Sequence, residues 1–138
     1  MGGEQGESDI ALLIGEELAL WLAGLEDFDG GRYWHAHEDW EDLWNLHKTR
    51  EAPQAEIFFV QGMIQTAALL LNHERRKERG VTNLTIKVNA KLQGWDCVWG
   101  IDVAAHLASM NAFGADVGTW ALDAQAYSLH RCSREVQY

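Results

Sequence analysis

From Ile57 to Leu71 the chain reads IFFVQGMIQTAALLL, a stretch apolar on nearly every side of a helix. A helix with that pattern has no polar face to give to water, so neighbours must contact it all round. Pro53, the chain's one proline, suits the first turn of such a helix, which the sequence predicts to run to about His73. This single element dictates the rest. Amphipathic helices must pack around it, and the expected fold is all-α, one compact bundle or array of about five to six helices.

The remaining helices follow from periodicity and punctuation. Ser8 or Asp9 can cap a first helix over about Ile10 to Leu25, and Gly30-Gly31 breaks the chain before a second from near Arg32 to His47. Gly80 is read as closing the charged tail of the third helix. Leu84, Val88 and Leu92 mark one face of a shorter fourth before Gly94. A fifth is expected from about Trp99 or Gly100 to Met110 and a sixth from about Thr119 to His130. Strand signals are weak, with TIKV the one brief β-prone run. Residues 1–7, rich in glycine and glutamate, read as a flexible tail and residues 8–138 as one domain.

The formal charge of −10 is uneven. Residues 1–56 carry fourteen acids against three bases, whereas residues 57–138 carry seven against eight. Such a chain offers no general attraction to nucleic-acid phosphates or anionic lipid, and the basic run at residues 75–79 is interrupted by Glu78. Nucleic acid is therefore disfavoured as a partner. Unbroken apolar runs such as Ala67–Leu71 are too short to cross a bilayer, and the N-terminal residues lack the basic start of a signal peptide. Cys97 and Cys132 form no CxxC or zinc pattern and read as two free thiols in a reducing compartment. The expectation is a cytoplasmic protein without a membrane segment. Seven tryptophans require packed surroundings or an interface, which favours a homodimer.

Chemistry concentrates in RYWHAHEDWEDLW. At 100° per residue, Tyr33, His37, Trp40, Trp44 and His47 share one stripe with Trp34 and Glu41 at its edge, while Glu38, Asp39 and Asp42 point away. A carboxylate beside an aromatic stripe needs a partner, and His37 lies one turn before Glu41. That spacing suits two ligands of one divalent metal ion, a proton-transfer pair, or a structural hydrogen bond. Glu41 stands where the HExxH zinc signature has its second histidine, so a metalloprotease mechanism does not transfer. On the third helix Gln61, Gln65, Ala68 and Asn72 form a polar and small stripe expected against His37 and Glu41, with His73 two turns beyond Gln65. Asp102/His106 and Asp123/Tyr127 repeat the i,i+4 spacing, which commonly does no more than support a helix. Ser109, Ser128 and Ser133 have no catalytic context.

The segment from Phe28 to Trp44 resembles the signature HxxxExxW of the bacterial and archaeal family called domain of unknown function 309. The three positions are His37, Glu41 and Trp44, in a context of Tyr33, Ala36 and Glu38, and the second block matches at Gln61, Gly62, Gln65 and His73. The resemblance covers roughly residues 25–92. It implies an all-helical fold and a suggested metal-binding motif, but no established activity. Gly80-Val81-Thr82-Asn83-Leu84 departs from the family's Gly-Asn turn, with Asn83 as the candidate replacement. The candidate centre is thus His37, Glu41, Trp44, Gln61, Gln65 and His73, with His37 and Glu41 as candidate metal ligands. The functions it admits are a divalent-metal or hydrolase-like site, and a non-catalytic helical binding or assembly protein in which His37/Glu41 is structural. Whether the protein is an enzyme is left open.

Overall fold

The computed structural model describes residues 10–133 and Tyr138. Among these residues five α-helices follow one another: α1 Gly15–Asp29, α2 Tyr33–Thr49, α3 Gln54–Glu74, α4 Glu78–Leu92 and α5 Val103–Ala115. A short antiparallel hairpin, β1 Cys97–Val98 and β2 Ile101–Asp102, precedes α5, and a 3₁₀ turn spans Ala124–Ala126. The all-α expectation holds, with each of α1 to α4 antiparallel to the next, as short connections favour. The predicted tail at residues 1–7 and the caps Ser8 and Asp9 lie outside the described residues.

Central α3 buries Phe59, Val60, Met63, Thr66, Ala67, Leu69 and Leu70 against its neighbours. At 21 residues it is long and apolar enough, by length and composition, to cross a bilayer. Counting unbroken apolar runs missed this, because Gln61 and Gln65 interrupt the run without ending the helix. Here α3 packs against α2, α4 and α5. Helix α1 contributes Trp21, Leu25 and Phe28, one face at i, i+4 and i+7, to the same core. Two close approaches depend on glycine: a Cβ at Gly24 would lie 1.9 Å from the Trp40 indole nitrogen, and one at Gly62 would lie 2.7 Å from Leu92.

Three expectations about elements change. Helix α1 begins at Gly15 rather than Ile10, because the preceding backbone is drawn to distant partners. Trp99 Nε1 donates to the Ala11 carbonyl at 2.9 Å, and Leu13 N–H donates to the Tyr138 carbonyl at 2.6 Å. Gly80 does not close α3; it lies inside α4, tight against Asn72. The start assigned to the fifth helix is instead a hairpin turn, where Trp99 and Gly100 both take positive φ (45° and 86°), the geometry of a two-residue hairpin.

No sixth α-helix forms between Thr119 and His130. The segment straps back across the bundle, its polar groups taken by distant partners. Leu129 N–H donates to Asp29 Oδ1 at 2.8 Å, the His130 carbonyl accepts from Asp102 N–H at 3.0 Å, and Tyr33 donates its hydroxyl to the Ala124 carbonyl.

The free-thiol expectation is overturned: Cys97 and Cys132 are joined, with Cα atoms 6.0 Å apart. The bridge ties the strap to the hairpin, beside the Cys132 N–H donated to Gly100 O at 3.0 Å. The spacing of 35 residues carries no pairing signal; the strap's path supplies the proximity. Alkylation of the unreduced protein should therefore label neither cysteine. Cys97→Ser with Cys132→Ser should cost about 3–4 kcal/mol in urea unfolding, the loop-closure value for such a span.

Candidate functional site

The fully buried stripe of α2 is Tyr33, Ala36, Trp40, Leu43 and His47. It is rotated from the predicted one, so His37 and Trp44 fall at its border and Trp34 and Glu41 lie outside. The His37 ring stacks on Trp34, with centroids 5.4 Å apart and planes 4° off parallel, while Trp34 stays 53% exposed. Lys48 Nζ sits 3.5 Å from the centre of the Trp44 ring, a cation–π contact. Along α2 the residues Trp34, His37, Glu41, Trp44 and Lys48 occupy one arc of about 80°.

A matching arc on α3 holds Phe58, Gln61, Gln65, Ala68 and Asn72. The antiparallel register is fixed near the turn, where His47 Nε2 lies 3.4 Å from Glu56 Oε2. Counting back from there sets His37 level with Gln65 and Glu41 level with Gln61. Three polar atoms along these arcs, His37 Nδ1, Trp44 Nε1 and Gln65 Oε1, are buried without a hydrogen-bond partner. Native interiors leave few such groups unpaired. Glu41 itself is exposed.

His73 stands apart from these residues. It lies eight residues beyond Gln65, about 12 Å along the axis, and is 4% exposed. Its Nε2 donates to Asp116 Oδ2 at 2.8 Å, and its ring meets Phe113 and Trp120 edge-on. Burial opposes the Asp116 charge, but the Leu122 and Ala121 N–H groups and His73 outweigh it and hold the carboxyl below its ordinary range.

Two polar clusters escaped the sequence reading. His47, completely buried, donates from Nε2 to Glu17 Oε1 at 3.1 Å, and Arg50 bridges Glu17 (2.7 and 3.1 Å) to Glu56 (2.7 Å). This clasp joins α1, α2 and α3. Burial pushes the His47 ring down against the opposing pull of Glu17 and Glu56, so it is neutral at pH 7. The second cluster is Asp27 with Asp39, the acid expected to point to solvent. Asp39 Oδ2 is buried, and desolvation together with the facing Asp27 carboxyl raises it to about 7. Its hydrogen bond to Asp27, itself paired with Arg32 at 2.8 Å, lowers Asp27.

A raised carboxyl means that the folded state keeps a proton the unfolded chain releases near pH 4, so stability falls as pH rises from 4 to 7. Asp39→Asn should accordingly stabilise the fold at pH 8 by about 1 kcal/mol, allowing for solvent screening, and leave it unchanged at pH 4. Urea midpoints at the two values check this; an equal shift at both would remove the shared-proton reading.

Asp102 does not pair with His106. It caps α5 by accepting from Ala105 N–H at 3.0 Å. His106 bonds the Tyr127 hydroxyl at 2.6 Å, and complete burial, with His130 nearby, pushes its ring down to about 3. It is a neutral core group. Among the described residues, no three His, Cys, Asp or Glu side chains converge in a way that could hold a metal ion.

Residues 21–84 match the family model of DUF309, a domain of unknown function. The DUF309 match takes in α1 from Trp21, all of α2 and α3, and the start of α4. His37, Glu41, Trp44, Gln61, Gln65 and His73 all fall within it, whereas Glu17 of the clasp and Asp116 lie outside. It reaches slightly further toward the N-terminus than the resemblance suggested and stops sooner. No curated protein and no solved structure matches the chain.

Proposed function

We propose that this chain is a non-catalytic helical binding protein whose outer α2–α3 face docks α-helices, in the first place those of a second copy. The observation that carries this reading is the Trp34 indole, exposed and stacked on His37 at the outer side of α2. Such an exposed aromatic has the character of an interface anchor, and beneath the same face lie the enclosed, unpartnered atoms His37 Nδ1, Trp44 Nε1 and Gln65 Oε1. The two arcs repeat at 34, 37, 41, 44, 48 and 58, 61, 65, 68, 72. This alternation of three and four is the spacing with which helices seat against one another. Two such faces related by a two-fold axis would form a four-helix layer.

Sedimentation equilibrium of untagged protein tests this. The expected result is a dimer at concentrations on the order of 100 µM that Trp34→Glu converts to a monomer of unchanged helicity. A monomeric parent at that concentration rejects self-docking.

A divalent ion at His37 and Glu41 is the second reading, favoured by the unpartnered His37 Nδ1 one turn before an exposed carboxylate. Among the described residues one chain supplies too few donors for a closed site, so this ion would need donors from a second copy. Elemental analysis of untagged protein, beside a His37→Ala, Glu41→Ala variant, separates the two readings. Stoichiometric metal in the parent alone supports the ion; none in either after incubation with zinc, manganese and nickel eliminates it.

A further inference from the structure

At the end of α3 remote from the clasp, a cavity of about 280 Å³ opens between the helix end and the strap. Its lining includes His73, Glu74, Arg76, Trp120, Leu122 and Asp123. The volume approaches that of small-molecule sites. We propose that this cavity is a binding site for a small zwitterion, an α-amino acid with an apolar side chain.

The chemistry of the lining selects that class. Arg76 is a fork of donors suited to a carboxylate. Glu74, oriented by the Gln125 amide, and Asp123 are acceptors suited to an ammonium group. Trp120 and Leu122 supply apolar surface for the remainder.

His73 is a lining residue held in place from behind. Its Nε2 donates to the buried Asp116 carboxylate, which fixes the orientation of the ring. Asp116 also accepts from Ala121 and Leu122 N–H, so one carboxylate orients the imidazole and folds the Trp120 loop over the cavity.

The backbone is consistent with a built site. Arg76 and Trp120 both hold positive φ, 53° and 50°, which bulky residues adopt rarely and mostly where the surroundings enforce it. Of the four non-glycine residues with positive φ among those described, these two line the same cavity.

The test follows the indole N–H resonance of Trp120, assigned with Trp120→Phe, during titration of the full chain with L-leucine, isoamylamine and isovalerate. Leucine should give a saturable shift, and the amine and the acid, each carrying half the charge pattern, should bind at least about tenfold more weakly. Arg76→Gly suits the left-handed backbone and keeps the fold, and should weaken leucine binding by about tenfold or more. No saturable shift with leucine overturns the proposal. So does isoamylamine binding as tightly as leucine, or an Arg76→Gly protein that binds leucine like the parent.

Discussion

Trp40→Ala should destabilise the fold by about 3–5 kcal/mol, the range for removing a large buried aromatic ring, and lower the urea midpoint accordingly. Trp40 is fully buried, stacked on Trp21 at 5.3 Å and on Phe28 at 5.6 Å, and its indole N–H donates to the Trp21 carbonyl at 3.3 Å. The ring occupies the space left by Gly24, so α1 cannot close over the gap without moving as a whole. Trp40→Phe should cost about half as much, since it keeps most of the area and leaves the Trp21 carbonyl without its donor. The converse substitution, Gly24→Ala, places a methyl into the ring and should destabilise by about 1–3 kcal/mol, even though alanine is the better helix former. A stable Trp40→Ala protein, within 1 kcal/mol of the parent by urea unfolding, would mean that the core does not depend on this stack.

Helices α2 and α3 were legible in the sequence because their signals are local. Gly30-Gly31 and Pro53 mark the starts, and the apolar spacing between them is helical. The strap was not legible, because Thr119–His130 has helix-compatible residues and its extended path is dictated by Asp29, Asp102 and Tyr33, up to 100 residues away. The Cys97–Cys132 bridge depends on that same path. On α2, periodicity set the stripe's centre too far toward solvent, taking in His37 and Trp44 where Ala36 and Leu43 are the buried members. The acids divide accordingly: Glu41 is exposed, and Asp39 meets Asp27 across the α1–α2 pair. Glu17, Arg50 and Glu56 were illegible as a group, since each alone reads as an ordinary surface charge. Only the packing of α1, α2 and α3 around His47 gathers them.

That clasp carries the second large expectation. Arg50→Met should cost about 3–4 kcal/mol at pH 8, because it leaves two carboxylates beside a neutral imidazole with no cation among them. Glu56 has 2% of its side chain exposed and Glu17 16%, so water cannot replace the guanidinium. Arg50 is itself 45% exposed, which keeps the cost toward the lower end of that seen for broken buried pairs. The loss should depend on pH in a specific direction. In the parent, burial raises the Glu17 carboxyl, but Arg50 and His47 outweigh it and hold it below its ordinary value. Its stabilising contribution is therefore present above the unfolded pKa and is lost as pH falls through the folded one. Without Arg50, burial of the Glu17 carboxylate is opposed by His47 alone, and a proton on His47 or on Glu17 relieves the deficit. The variant's deficit relative to the parent should thus shrink by about half between pH 8 and pH 5, the contribution of Asp39 being common to both proteins. Urea unfolding of both proteins at the two values measures this, and a deficit independent of pH would show that Arg50 acts through its aliphatic stem rather than its charge.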